Sequence, residues 1–498
     1  MQGRWEDALY EVNRALVAGY HNQKARALKA VLLKESGKTD EFAKLVTESL
    51  EQDRFNYGIL FEAGETERIV TLMHGNPLNY HELALDYAQA GLWQRADAVL
   101  DLAIKEGAVN AMTYYYKMWI NGEVCPLPDT EMPICLPNRL EDIVALNCAM
   151  KLDGKDALAP YLLGCLYYDK RQYDEAIRLW ERSAELNPDC PQVWRNLALA
   201  RFNKQGREDE AVAYMERAFH LDETDSRILM ELDQLYKRLN RPHAERLSFM
   251  QRYPQLIQRR DDLVLEEITL LNQMGRYEEA KHKLDAHIFH PWEGGEGKVP
   301  AQYQICRVEL AKQAISRKDY ERAIGLLSEC LEYPHHLGEG KLYGAQENDF
   351  YYLLGVAYDA LGQKGKAREY WEEATKGPQE PAAAMYYNDA KPDKIFYQGL
   401  ALKRLERDDE ANGRFYRLIN YGKQHIFEHQ VMDYFAVSLP DLLIWEDSLD
   451  TKNCIHCKYM LALGFYGIGD KEKALKYLRE VEDMDINHQG IQQIRSVI

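Results

Sequence analysis

The sequence predicts an all-α solenoid of repeated helix–turn–helix units, and three observations carry that expectation. The segment ALAPYLLGCLYYDKRQYDEAIRLWERSAELNPDC, Ala157–Cys190, places apolar residues at helical spacing twice, with a polar turn between them and Pro188 at the end. Similar units recur along nearly all of the 498 residues, roughly a dozen in number. The composition, 46% apolar and 29% charged, supplies a large core under a polar surface.

Four segments follow in chain order. Residues 1–153 read as degenerate repeats. Trp5, Ala8, Val12 and Ala15 fit a second helix whose first helix is missing, so the chain reads as the C-terminal part of a longer protein, the alternative being a start that uses a single capping helix. Looser units follow at Gln23–Asn56, with turn Gly37, and at Pro77–Asn110, with turn Gly91 and then Trp93, Ala96 and Ala103. The stretch NGEVCPLPDTEMPICLPN, Asn121–Asn138, holds four prolines and reads as an extended insert between two helices of one unit. Loops of that length are often functional, and a simple cover over a groove is the equal alternative.

Residues 154–290 hold the regular repeats. In the first, Leu163, Gly164 and Tyr167 lie in the opening helix, and Tyr173, Ala176 and Trp180 in the second. Small Gly164 and Ala176 allow close helix approach, and the larger side chains fill the gaps. The next unit places Trp194, Leu197, Ala198, Ala211 and Ala218 in the same roles. Looser units are Ser226–Arg259 and Asp261–His290, the latter with turn Gly275. Residues 291–420 continue with Tyr320 and Ala323, then Leu354, Gly355, Tyr358, Gly362, Ala367 and Ala374, then Ala411. Residues 421–498 form a linker with a break at Pro440, then a final repeat with Leu461, Ala462, Phe465, Gly469 and Ala474, and a capping helix.

These units resemble the tetratricopeptide repeat. The resemblance implies a right-handed superhelix with a concave inner face, acting as a protein-interaction scaffold. The HPWEGGEGK and LGEGKL loops and DYFAVSLPDLL resemble a narrower group, the C-terminal repeat region of large bacterial proteins of this family. Those carry an N-terminal domain of unknown function, expected to be β-rich and to handle carbohydrate. The resemblance implies such a domain upstream.

Two loops stand out. PWEGGEGKVPAQYQ and PHHLGEGKLYGAQEN share Gly-Glu-Gly-Lys, so Gly295, Glu296, Gly297 and Lys298 match Gly338, Glu339, Gly340 and Lys341. Each precedes the first helix of a unit, near Gln304 and Asn348. Stacking should bring them together at one edge. A phosphate loop needs Ser or Thr after the lysine and a strand before it, but Val299 and Leu342 follow instead. The glycine turns can still offer N–H groups to a carboxylate. His287 and His290 lie three apart, as on one helical face, and His335, His336, Glu293, Glu296 and Glu339 add further donors. Their spacing matches no metal signature, so no metal or other cofactor is assigned. Cys454 and Cys457 form a lone CxxC with Cys457 at the first turn of the last repeat, where packing is the expected role.

The candidate binding residues are therefore His290, Trp292, Glu293, Glu296, Lys298, His335, His336, Glu339 and Lys341 on the loops. Tyr161, Tyr168, Tyr352, Asp359, Tyr459 and Tyr466 are expected on inward-facing first-helix positions. No catalytic residue is assigned. The formal net charge of −18 excludes nonspecific nucleic-acid binding and docking on anionic membranes. Nine cysteines without framework spacing point to a reducing, cytoplasmic compartment. The N-terminus has no signal-peptide pattern, and no apolar run is long enough to span a membrane. The reading is a noncatalytic scaffold that grips another protein, or an upstream domain of its own chain, through the paired loops and the inner face. The alternative is that the loops complete a carbohydrate-active site of a larger enzyme, with carbohydrate as the ligand.

Overall fold

Nine helix pairs turn on one backbone position, two residues past the first helix. Gly37, Gly91, Gly275, Gly362 and Gly469 occupy it with φ between 69° and 89°. Arg171, Asn240, Lys318 and Glu406 fill the same position in other repeats, with φ from 51° to 65°. The left-handed residue lets the next N–H reach back five residues, as in Leu92 N–H to Tyr87 O at 2.8 Å and Gln363 N–H to Tyr358 O at 2.9 Å. Glycine adopts this conformation freely, whereas a Cβ costs about 1–2 kcal/mol there.

The computed structural model describes residues 4–128, 132, 135–383, 389–431 and 444–495. Over these the chain forms 27 α-helices and one short 3-10 turn, with no strand. Residues 1–200 and 201–498 form two compact units. The core of the first gathers Tyr80, Tyr87, Leu100, Tyr115, Leu146 and Leu163, all buried. One core of the second gathers Phe396, Phe415, Leu418, Met460 and Leu463. Burying each such side chain contributes about 1.5–3 kcal/mol.

The small-residue positions work as their chemistry requires. A Cβ on Gly164 would sit 2.6 Å from the Trp180 ring, and one on Gly355 would sit 2.3 Å from Trp371. In these two repeats the second helix thus presses an aromatic ring onto a bare backbone in the first. Asn22, Asn56, Asn76 and Asp225 cap the helices that follow them through their side-chain oxygens.

The insert after helix Ala111–Asn121 stays non-helical over its described residues until helix Leu140–Leu152. Residues 129–131 and 133–134 lie outside the description, as do Pro440 and all of DYFAVSLPDLL. The last repeat differs from expectation. Its first helix runs Leu449–Gly467, so Cys457 lies in the third turn. Ser448 starts this helix by accepting the Thr451 N–H, and the polar residues after it hid the start. None of the nine cysteines is bonded to another.

Candidate functional site: a pocket between paired glycine loops

Helix Tyr277–Asp285 ends two residues before His287, so His287 and His290 lie in a loop rather than on a helical face. One carboxylate joins them instead. Asp261 meets the His287 ring at 2.7 Å, accepts the His290 N–H at 2.7 Å and meets the His290 ring at 3.1 Å. Burial alone would raise the Asp261 carboxyl, but these three contacts bring it below the usual carboxylate range.

The loop then turns at Trp292 and closes at Gly297, which has φ of 73° and begins helix Lys298–Ser316. That start is earlier than the expected Gln304, because Val299 and Pro300 fit a first helical turn. Gly295 is required for close approach, since a Cβ there would lie 2.3 Å from the Trp292 ring. The indole is thereby held as a wall.

The sister loop follows helix Tyr320–Cys330 and contains the 3-10 turn His335–Leu337. The two loops touch through backbone. Phe289 N–H donates to His336 O at 2.8 Å. Gly338, at φ of 73°, passes so close that a Cβ would lie 2.5 Å from the Phe289 carbonyl oxygen. Glu339 then accepts the Gly297 N–H at 2.8 Å. The anion expected for a glycine turn is therefore a side chain of the other loop.

The shared GEGK sequence does not give a shared conformation. The left-handed residue is the second glycine in one loop and the first in the other. Lys298 opens a helix, whereas Lys341 bonds Leu331 O at 2.8 Å and pairs with the buried Glu347 at 2.5 Å.

Between the loops lies a pocket of about 260 Å³. Pro291, Val299 and Leu337 form its apolar part, with Trp292 as the aromatic wall. Glu293, Glu296 and Glu339 supply its charge, and His290 stands beside them. Burial pushes the Glu339 carboxyl up against the Gly297 amide, and the Glu296 charge adds to the rise. Five expected residues thus meet in one cavity. Lys298, His335, His336 and Lys341 do not line it. His335 is exposed, and the His336 ring packs near Tyr303. Among the described residues, no group of three or more His, Cys, Asp and Glu side chains is placed to hold a metal ion.

The inward-facing set is less coherent. Tyr161 and Tyr168 belong to the first unit and the other four to the second. Tyr168 packs on Trp180 at 5.2 Å, and Tyr352 on Tyr397 at 5.6 Å. Tyr466 meets Phe396 at 6.0 Å, and Asp359 is half-buried on helix Asn348–Ala360. Tyr459 is corrected. It is 4% exposed, because His488 and Gly490 cover its ring, and its hydroxyl reaches Gly490 O at 3.4 Å.

The sequence reading missed a second feature of this unit. Asn203, Asn240 and Gln273 sit at the ends of three successive first helices, and each holds main chain from the C-terminal part. Asn203 donates to Ile444 O and accepts from Glu446 N–H, both at 2.8 Å. Asn240 donates to Met484 O at 3.1 Å, and Gln273 to Asn487 O at 2.8 Å. Trp445 is buried in the same segment as Ile444 and Glu446, its Nε1 donating to Glu231 O at 2.9 Å. Amides recurring about one repeat apart, at the turn or just before it, were the available signal.

Two family models described as tetratricopeptide repeat match the chain, one over residues 161–226 and one over 349–376. The chain carries tetratricopeptide repeats. Both matched stretches are regular repeats that turn through the left-handed position, at Arg171 and Gly362. Solved structures of tetratricopeptide-repeat proteins are similar at low identity. YrrB, described as having an unusual peptide-binding site, is 15% identical, covering 46% of this chain and 90% of its own with a TM-score of 0.27. MamA is 15% identical over 45% of this chain and 91% of its own, with a TM-score of 0.24. A tetratricopeptide-repeat protein from Parabacteroides merdae is 13% identical over 66% and 98%, with a TM-score of 0.25. No helix among the described residues is long and apolar enough to cross a membrane.

Proposed function

We propose that this protein is a noncatalytic scaffold that docks another protein, or another domain of its own polypeptide, on the paired glycine loops. Its repeats support a scaffold for protein interaction in general. The observation that carries the loop assignment is the shared pocket, where an aromatic wall and three carboxylates from two loops meet. Single turns that merely connect helices do not need to fix an indole against glycine backbone. The loops are also braced by backbone contacts, which suits a preorganised surface.

The test compares wild type with a Trp292→Ala/Glu296→Gln/Glu339→Gln variant of unchanged thermal midpoint. Proximity labelling in the source cell identifies neighbours, and each candidate is then purified and titrated. At least one direct partner should lose tenfold or more in affinity for the variant. Equal affinities for every partner would remove the loop assignment.

A second reading is favoured by the same pocket: a Trp wall with carboxylates suits a sugar ring, and Glu339 is held toward its protonated form. It requires that Glu293→Gln or Glu296→Gln abolish carbohydrate turnover in a larger assembly. Unchanged turnover would eliminate it.

A further inference from the structure

The pocket between the loops carries charge of one sign. Glu293, Glu296 and Glu339 line it, and no lysine or arginine does. Among the described residues none of these three carboxylates is in an ion pair. Their neighbours differ. Asp285 pairs with Arg307 at 2.6 Å, and Glu347 pairs with Lys341 at 2.5 Å. Lys341 is directed to Leu331 O and Glu347, although it is only two residues from Glu339 in sequence.

The other wall is the Trp292 ring, fixed against Gly295. An aromatic face and carboxylates around one small cavity form a site for a cation. The half-buried Glu339 retains like-charge strain with Glu296, which a bound cation would relieve. The volume of about 260 Å³ admits one side chain rather than a drug-sized molecule, which takes about 300 Å³ or more. Val299 and Leu337 offer apolar surface to a methylene stem.

We infer that this pocket takes one basic side chain, lysine or arginine, presented by a protein segment docked on the loop edge. The inference rests on the docking function proposed above. The ammonium or guanidinium lies over Trp292 between the carboxylates, and the stem lies along Val299 and Leu337. The chain's net charge of −18 draws a basic segment toward it at low ionic strength.

Saturation-transfer NMR on the full chain tests this with four probes: Nα-acetyl-lysinamide, Nα-acetyl-argininamide, the neutral Nε-acetyl analogue of the first, and N-acetylglucosamine. Both basic probes should receive saturation. The signal should fall at least fivefold in Trp292→Ala, in Glu296→Gln/Glu339→Gln, and at high salt. The neutral analogue should receive little. Basic probes whose signal is the same in both variants would overturn the inference, as would preferential binding of the sugar. The glutamine pair keeps side-chain shape, so it decides if Trp292→Ala fails to fold. The two levels separate cleanly. A partner lost on loop mutation without variant-sensitive basic probes leaves docking and removes the cation site. Basic probes bound while every partner is retained leave the cation site and remove docking.

Discussion

The Gly297 amide donates to the Glu339 carboxylate at 2.8 Å, so each glycine loop completes the other. Gly338 makes this closure possible, because it is left-handed and lies against the Phe289 carbonyl. Gly338→Ala combines left-handed strain with a 2.5 Å approach to backbone that cannot swing aside. It should destabilise the second unit by about 2–5 kcal/mol, the sum of the two effects. Urea unfolding checks this. A loss under about 0.5 kcal/mol would mean the loops move independently.

The repeat turn gives an opposite expectation. Arg171, Lys318 and Glu406 hold the conformation that glycine holds elsewhere. Relief of about 1–2 kcal/mol of strain exceeds the glycine entropy cost of about 0.5–1 kcal/mol. Arg171→Gly and Lys318→Gly should each raise stability by up to about 1 kcal/mol, seen as a small upward shift in thermal midpoint.

Trp445 is 1% exposed and packs on Phe202 at 5.3 Å. The segment around it adds ion pairs from Lys204 to Glu446 and from Arg238 to Asp447. Trp445→Ala should cost about 3–5 kcal/mol. Hydrogen exchange should rise at residues 444–448 and at helix Ser226–Arg238, which it covers.

The first unit should weaken in mild acid. Burial, aided by the Arg139 charge, lowers the His81 pKa to about 4, and the ring bonds Thr113 Oγ1 at 2.8 Å. Between about pH 6.5 and 4 the unfolded chain takes up a proton that the folded chain refuses. Stability is therefore lost as pH falls through that window, on the order of 3 kcal/mol at its end. His81→Gln should lower stability at pH 7.5 and flatten the slope between pH 6.5 and 4. A parallel slope in the variant would assign the proton uptake elsewhere.

The repeat was legible because its requirements are local. Gly164, Ala176 and Trp180 must recur together wherever two helices close on each other, and Gly91 or Gly362 marks the turn. The pocket was legible in part. The repeated GEGK pointed to contact between loops, but not that identical tetrapeptides would adopt different backbones. That difference follows from what comes next: Val299 and Pro300 continue a helix, whereas Lys341 is drawn to Leu331 O and Glu347. Asp261, which gathers His287 and His290, lies a full helix pair earlier in the chain and left no local signal. Tyr459 was misplaced for the same reason, since His488 and Gly490 cover it from beyond the repeat. The amide contacts to residues 444–487 join positions more than 200 apart, beyond any periodic pattern.

Fluorine NMR of the chain labelled with 5-fluorotryptophan tests the loop site most directly. The sequence has eight tryptophans, and Trp292→Phe assigns the resonance of interest. Titration with a short lysine-containing peptide should shift the Trp292 signal, and the buried Trp180, Trp371 and Trp445 should stay in place. Shifts at other tryptophans with Trp292 unchanged would contradict binding at the paired loops.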